Sequence, residues 1–303
     1  MRFFISLAFF AYILVVILTF VSIDYPLKAL TKVLNKSFIV YSVLSLLLYF
    51  GLIPIGRELN WFPVSIFGIE IQTMVGFLGS TAWIDGFAII ICLMNVHYKL
   101  DENWKKYAII SGFMAFLTFR STPYLLLIAF LGILLLNKLV KQRVVLLIPL
   151  TLIFGSFFIP KLILMYTRDE QLFAVIDYAL TGRAHLWTTV LDALFEKPLN
   201  TLLIGYGNMN NFPVPVWHGI LTNPHNAFFR LFIEGGVIFY STFFVALAYA
   251  ILKVQTKHLP IIFIIITQGI SNSMIFQFQN LSMVYLLAAL IADARFENKT
   301  INE

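Results

Sequence analysis

Long apolar runs alternate with short polar connections along this chain, and the apolar runs are about as long as a bilayer is thick. A helix needs about 20 apolar residues to cross the hydrocarbon core. Nine runs approach that length, at roughly 3–23, 37–56, 81–98, 107–119, 124–137, 144–160, 225–252, 259–276 and 281–294; the fourth, fifth and ninth are short. The pattern predicts an all-α fold, a polytopic transmembrane helical bundle of about nine spans that forms a single transmembrane domain over 1–303. The first run is too long for a signal-peptide core and lacks a convincing cleavage site, so it reads as a retained span. As one helix, 107–137 would extend about 46 Å, too far for one crossing, and is expected to be a hairpin. Its tip is Arg120-Ser121-Thr122-Pro123, where proline lacks an amide donor and disfavours helix at the residue before it.

One long polar interval, roughly 161–224, interrupts this rhythm. Within it Leu186, Trp187, Val190, Leu191, Leu194 and Phe195 recur at helical spacing after Thr181-Gly182 and before Pro198. This predicts an amphipathic helix over 183–197, lying on the outer membrane surface.

Composition fixes the solvent. Hydrophobic residues make up 60% of the 303, and charged residues 12%, against about 25% in soluble domains. Mean hydropathy is +0.89. The net charge of +6 does not point to nucleic acid, because the basic residues sit in small clusters between apolar runs, where they act as topology determinants. Lys28, Lys32 and Lys36 form one cluster, and Lys99, Lys105 and Lys106 the next. Lys138, Lys141 and Arg143 follow, then Lys253 and Lys257, then Arg295 and Lys299. With nine spans all five clusters fall on one face, which the positive-inside bias makes cytoplasmic. The N-terminus is then outside, the C-terminus inside, and the 161–224 interval external. Cys92 is the single cysteine, so no intramolecular disulfide forms, and it reads as a packing residue.

Ionisable groups inside or beside apolar runs are the candidates for chemistry, since a charge in hydrocarbon is costly unless paired or wetted. Asn223-Pro224-His225-Asn226 reads as a helix start, with Asn223 as cap, Pro224 at the first helical position, and His225 and Asn226 in the first turn. A helix N-terminus favours neutral imidazole and attracts anions, so His225 is a candidate base; the alternative is an interfacial histidine satisfying a loop carbonyl. Arg230 and Glu234, one and two turns on, share a face with Asn226. They form either a functional cavity or an ion pair that fixes helix packing. Gly235-Gly236 beside them permits close helix contact. Arg120 and Arg183 are both expected near the outer interface, where guanidinium suits phosphate oxygens or snorkels to lipid headgroups. Asp85 is a minor candidate. His97, His185, His218 and His258 have no metal-ligand spacing and read as loop or interface residues. Gly205-Tyr206-Gly207 reads as a flexible turn.

These elements occur in a recognisable order. Thr181-Gly182-Arg183-Ala184-His185-Leu186-Trp187, Glu196-Lys197-Pro198-Leu199, Gly205-Tyr206-Gly207, Pro224-His225-Asn226-Ala227-Phe228-Phe229-Arg230 and Glu234-Gly235-Gly236 together resemble the signature region of the O-antigen ligase and polymerase superfamily, over about 60 residues. Phe119-Arg120-Ser121 resembles the family's upstream Ser-Arg element with its order altered. The resemblance implies a metal-independent glycosyltransferase, without cofactor, in the bacterial inner membrane. Its donor would be an undecaprenyl-pyrophosphate-linked saccharide met at the periplasmic face. It implies His225 as the base that activates the acceptor hydroxyl and Arg183 and Arg120 as pyrophosphate ligands, with Asn226, Arg230 and Glu234 beside the substrate. The lipid bilayer and a chain-length regulator protein are the partners it admits, and nucleic acid is not among them. Polymerase chemistry, joining one lipid-linked repeat to another, is the first expectation. Ligase chemistry, with lipid A-core as acceptor, is the second. A flippase of lipid-linked sugars is a third, of another class, although the chain lacks the internal symmetry such transporters show.

The topology is testable by cysteine labelling. A cysteine at Asn208 should react with an impermeant maleimide from outside, and one at Glu102 only from inside; the reverse pattern overturns the assignment.

Overall fold

The structure, a computed structural model, describes residues 26–52, 63–66, 69–72, 81–118, 121–140, 142–156, 158–167, 169–179, 183–207, 215–216, 219–220, 226–271, 288–290 and 292–293. It is helical, as expected, with two short antiparallel ladders added: β1 (Pro63–Ile66) with β2 (Ile69–Gln72), and β3 (Pro215–Val216) with β4 (Gly219–Ile220). Three described helices are long and apolar enough to cross a membrane, at Pro26–Tyr49, Thr122–Leu139 and Ala227–Tyr249. Only 39, 22 and 28% of their apolar windows are buried inside the protein. Most of that apolar surface therefore faces outward, an arrangement suited to lipid and costly in water. The expected first span lies outside the described residues, as does most of the ninth.

The chain divides into two compact units. One contains Val140–Thr256; the other contains Phe20–Leu139, Lys257–Gln268 and Tyr285–Glu303.

In the second of these, α1 (Pro26–Tyr49) begins eleven residues before the apolar run expected at 37. Lys28, Lys32 and Lys36 therefore lie in helix, not in a connection. Lysine is a good helix former, Pro26 suits the first helical position, and the three lysines recur every fourth residue on the exposed side. The opposite stripe, from Leu27 through Leu30, Leu34 and Phe38 to Leu48, is buried. α2 (Thr81–Tyr98) matches the expected third span, and α3 (Trp104–Phe116) and α4 (Ser121–Leu139) both pack against it. α3 ends at Phe116 and α4 begins at Ser121, so Ser121, Thr122 and Pro123 of the expected hairpin tip lie in helix, while Arg120 lies outside the described residues. Pro123 is accommodated in the first turn of α4, where few intrahelical amides are lost.

α1 and α2 are joined by a reciprocal amide pair. Asn35 Nδ2 donates to Asn95 Oδ1 at 3.0 Å, Asn95 Nδ2 donates back to Asn35 Oδ1 at 2.8 Å, and it also donates to the Ile91 carbonyl at 2.9 Å. Both side chains are 1% exposed. After the 3₁₀ turn Thr256–His258 comes α11 (Leu259–Ser271), where the Gln268 amide packs so closely on Gly86 of α2 that any side chain there would have to displace it.

In the first unit the expected 144–160 span is divided. α5 (Gln142–Gly155) ends at Ser156 and α6 (Ile159–Thr167) starts anew, followed by α7 (Glu170–Ala179), α8 (Arg183–Phe195), α9 (Leu199–Ile204) and α10 (Ala227–Lys253). α8 occupies the expected amphipathic segment, but its apolar stripe does not lie open to the bilayer. α6 and α7 pack on it, leaving Trp187 2%, Leu191 0% and Leu194 2% exposed, while Phe195 is 52% exposed. Polar contacts at the edges hold this packing: Lys161 pairs with Asp192, and Asp177 Oδ1 accepts from the His185 amide at 2.8 Å, capping α8 from α7.

Replacing Asn95 alone with Leu strands a buried amide on Asn35 and should destabilise the second unit by about 1–3 kcal/mol. Adding Asn35→Leu should recover most of that loss. Thermal unfolding of the two single variants and the double variant in detergent checks this; additive losses would exclude coupling between the two amides.

Candidate functional site

The mouth of α10 is built by Asn226, fully buried and extended at φ −144°, ψ 115°. Its Oδ1 accepts from the Phe229 amide at 3.0 Å, and its Nδ2 donates to Ser156 Oγ at 3.1 Å. The cap is thus Asn226, not Asn223, and the first turn starts at Ala227. The reason is local: Asn226 is spaced to reach the third amide of the helix and is also anchored to the end of α5. A second tie runs from Tyr240 Oη to the Ile153 carbonyl at 2.9 Å, satisfying one of the last carbonyls of α5.

Arg230 and Glu234 follow on successive turns of α10. Arg230 Nε donates to Glu234 Oε1 at 3.0 Å, and each side chain is 27% exposed. The pair is half-buried within an apolar helix, the setting in which a formal charge needs a partner.

Just beyond it the helix breaks. Gly236 adopts φ 68°, ψ −177°, and Gly205, which ends α9, adopts φ 82°, ψ −176°. Both conformations are essentially reserved for glycine. The two glycines face one another: a Cβ on Gly236 would stand 2.5 Å from both Gly205 N and the Leu203 carbonyl oxygen. The Tyr206 amide donates to the Ile233 carbonyl at 3.0 Å, and the Gly207 amide donates to the Glu234 carbonyl at 2.8 Å. In an unbroken helix those carbonyls would accept from Val237 and Ile238. Gly205-Tyr206-Gly207 is therefore no flexible turn but a main-chain plug in the break of α10. Phe232 and Tyr240 bridge the break edge to face at 5.5 Å, and Phe158 packs on Phe232 at 5.9 Å. Burial raises the pKa of the Tyr206 phenol above its ordinary value.

Of the residues singled out by sequence, the structure thus unites Asn226, Arg230 and Glu234 on α10 and joins the two glycine motifs. Arg183 opens α8 and is half-buried. Arg120 and His225 lie outside the described residues, as does the side chain of Asp85. Among the described residues no group of His, Cys, Asp and Glu could hold a metal ion.

The second unit contains a cluster that sequence reading passed over. His258 is fully buried, not an interface residue: Tyr98 Oη lies 2.9 Å from its Nδ1, and Asp293 Oδ2 3.5 Å from its Nε2. They line a cleft of about 350 Å³ together with Leu27, Lys28, His97 and Lys257. The three residues come from distant segments, so no spacing rule could have found them.

No family model matches the chain, and no curated protein or solved structure does.

Gly205→Ala and Gly236→Ala should each destabilise the first unit by at least about 2 kcal/mol, through backbone strain and the lost plug. Gly207 has φ 68° but no neighbouring atom within 4 Å of a Cβ, so Gly207→Ala should cost only about 1 kcal/mol. Unfolding midpoints of the three variants check the order; equal losses would show that the plug carries no stability.

Proposed function

We propose that this chain is a membrane glycosyltransferase of the O-antigen polymerase type. It joins undecaprenyl-pyrophosphate-linked oligosaccharide repeats at the periplasmic face of a bacterial inner membrane, as a multi-pass protein with 161–224 exported. The observation that carries the reading is the plug. Gly205-Tyr206-Gly207 and Glu234-Gly235-Gly236, two separate parts of the signature on which the family resemblance rests, meet through their main chains. The plug ties the polar interval to an apolar helix beside an ion pair that is only half-buried.

In this reading His225 adjoins the capping Asn226 at the helix mouth and takes the proton from the acceptor hydroxyl as it attacks the anomeric carbon of the donor. The glycosidic bond to the pyrophosphate breaks, and the lipid pyrophosphate leaves with its charge held by Arg183 and Arg120. Arg230, paired with Glu234, stands one turn into the same helix.

The test is His225→Ala in a host whose surface polysaccharide depends on this protein. Loss of the ladder, leaving single-unit glycan on lipid A-core, supports the polymerase. Polymer retained on the lipid carrier would assign the ligase reaction instead. An unchanged ladder at normal protein level would remove His225 from the chemistry.

A further inference from the structure

Periodicity marks α8 for the membrane surface, but α6 and α7 cover its apolar stripe, and each of them turns a further apolar face outward. On α6 that face is Leu162, Met165 and Tyr166; on α7 it is Leu172, Val175 and Tyr178, all exposed and at helical spacing. The two tyrosines are 84 and 88% exposed. The polar groups of the two helices lie at the edges of this face. Lys161, the only basic residue of either helix, pairs with Asp192 of α8, and Asp177 caps α8. Exposed Asp169, Glu170 and Gln171 are gathered where α7 begins, and there the Asp169 carboxylate accepts from the Gln171 and Leu172 amides, both at 2.9 Å.

What meets this face follows from where α6 starts. α5 packs on α10, a helix long and apolar enough to cross a membrane. With 14 residues α5 rises about 21 Å, short of the about 30 Å of hydrocarbon. Its first turn carries Arg143 and follows Lys141, in a basic connection that charge bias sets at the cytoplasmic headgroups, so its far end stops inside the opposite leaflet. The chain then turns at once, with the Phe158 amide donating to the Gly155 carbonyl at 3.0 Å, and α6 begins at the depth where α5 ends. At nine and ten residues, α6 and α7 are too short to be spans of their own. Short helices with one side on protein and an apolar face left outward suit the boundary between acyl chains and headgroups, where the tyrosine ring also has its place.

We propose that α6 and α7 are a membrane-docking element whose outward face sinks into the leaflet opposite the basic clusters. Leu162, Met165, Leu172 and Val175 lie among acyl chains, the hydroxyls of Tyr166 and Tyr178 reach the headgroups, and Asp169, Glu170 and Gln171 stay in water. Among the described residues the face has no basic side chain, so apolar burial holds it and anionic lipid is not required. The surface stands whether or not the chain is a transferase.

The test uses the full chain with Cys92→Ala, carrying Met165→Cys, Val175→Cys or, as an aqueous reference, Glu196→Cys, each spin-labelled and reconstituted in vesicles of dioleoyl phosphatidylcholine. All three positions are exposed, so the variants should fold. Power saturation with oxygen and with a water-soluble nickel chelate reads depth. The labels at 165 and 175 should lie about 5–10 Å below the phosphates, with oxygen access several-fold above chelate access, while the label at 196 favours the chelate. Replacing part of the lipid by dioleoyl phosphatidylglycerol should leave these depths unchanged. Chelate access at 165 and 175 equal to that at 196 puts the face in water and overturns the proposal. Immobilised labels closed to both reagents would put a second copy or another protein segment on the face, and overturn it as well. Insertion seen only with phosphatidylglycerol would overturn the apolar basis of docking.

Discussion

A helix in an apolar setting can break only if something else satisfies the carbonyls that the break releases, and in this protein that something is a pair of loop amides. Tyr206 and Gly207 donate to Ile233 and Glu234, where the next turn of α10 would otherwise have done so. The constraint is severe because the two backbones touch. Gly205 and Gly236 both need a conformation closed to other residues, and neither has room for a methyl group. Once this contact is made, α9 and the segment before it can no longer drift from α10. The polar interval is thus anchored at Gly205–Gly207 on one side and at Asn226 on the other.

The rest of the first unit follows from the same need to satisfy polar groups without water. Asn226 uses both ends of its amide, one to cap its own helix and one to grip Ser156 at the end of α5. Tyr240 reaches the Ile153 carbonyl, so each half of the broken helix has its own tie to α5. The Arg230–Glu234 pair lies between these ties. It is close enough to the break that the Glu234 carbonyl holds the loop while the Glu234 carboxylate holds the arginine. One residue thereby couples main-chain architecture to the only ion pair on the described part of α10.

The second unit solves the same problem by pairing side chains. Asn35 and Asn95 close on each other in the α1–α2 contact, and Thr31, Ser42 and Ser111 return their hydroxyls to carbonyls of their own helices. His258 is accepted in a fully buried position because Tyr98 and Asp293 flank its two nitrogens. Lysines stay exposed, with Lys28, Lys32 and Lys36 along one side of α1, so that their stems can lie on apolar surface while their charges stay out of the core.

Hydropathy and periodicity made the helical, membrane-suited character of the chain legible, along with the limits of α2 and, within two residues, of α8, because those signals depend on residues close in sequence. The same local signals gave the Arg230–Glu234 spacing and anticipated a break between 107 and 137, but set its tip at 120–123, whereas α3 already ends at Phe116 and α4 begins at Ser121. They misjudged the start of α1, since lysines on one exposed helical face read as a connection, and they treated 144–160 as continuous, since Ser156 offers no composition signal until Asn226 is bonded to it. Spacing could not reveal that Gly205 fits against Gly236, that α6 and α7 cover the stripe of α8, or that Tyr98, His258 and Asp293 share a cleft. Each of those facts depends on segments far apart in the chain becoming neighbours, and single-sequence patterns contain no information about which distant backbone will supply a missing donor or fill a particular space.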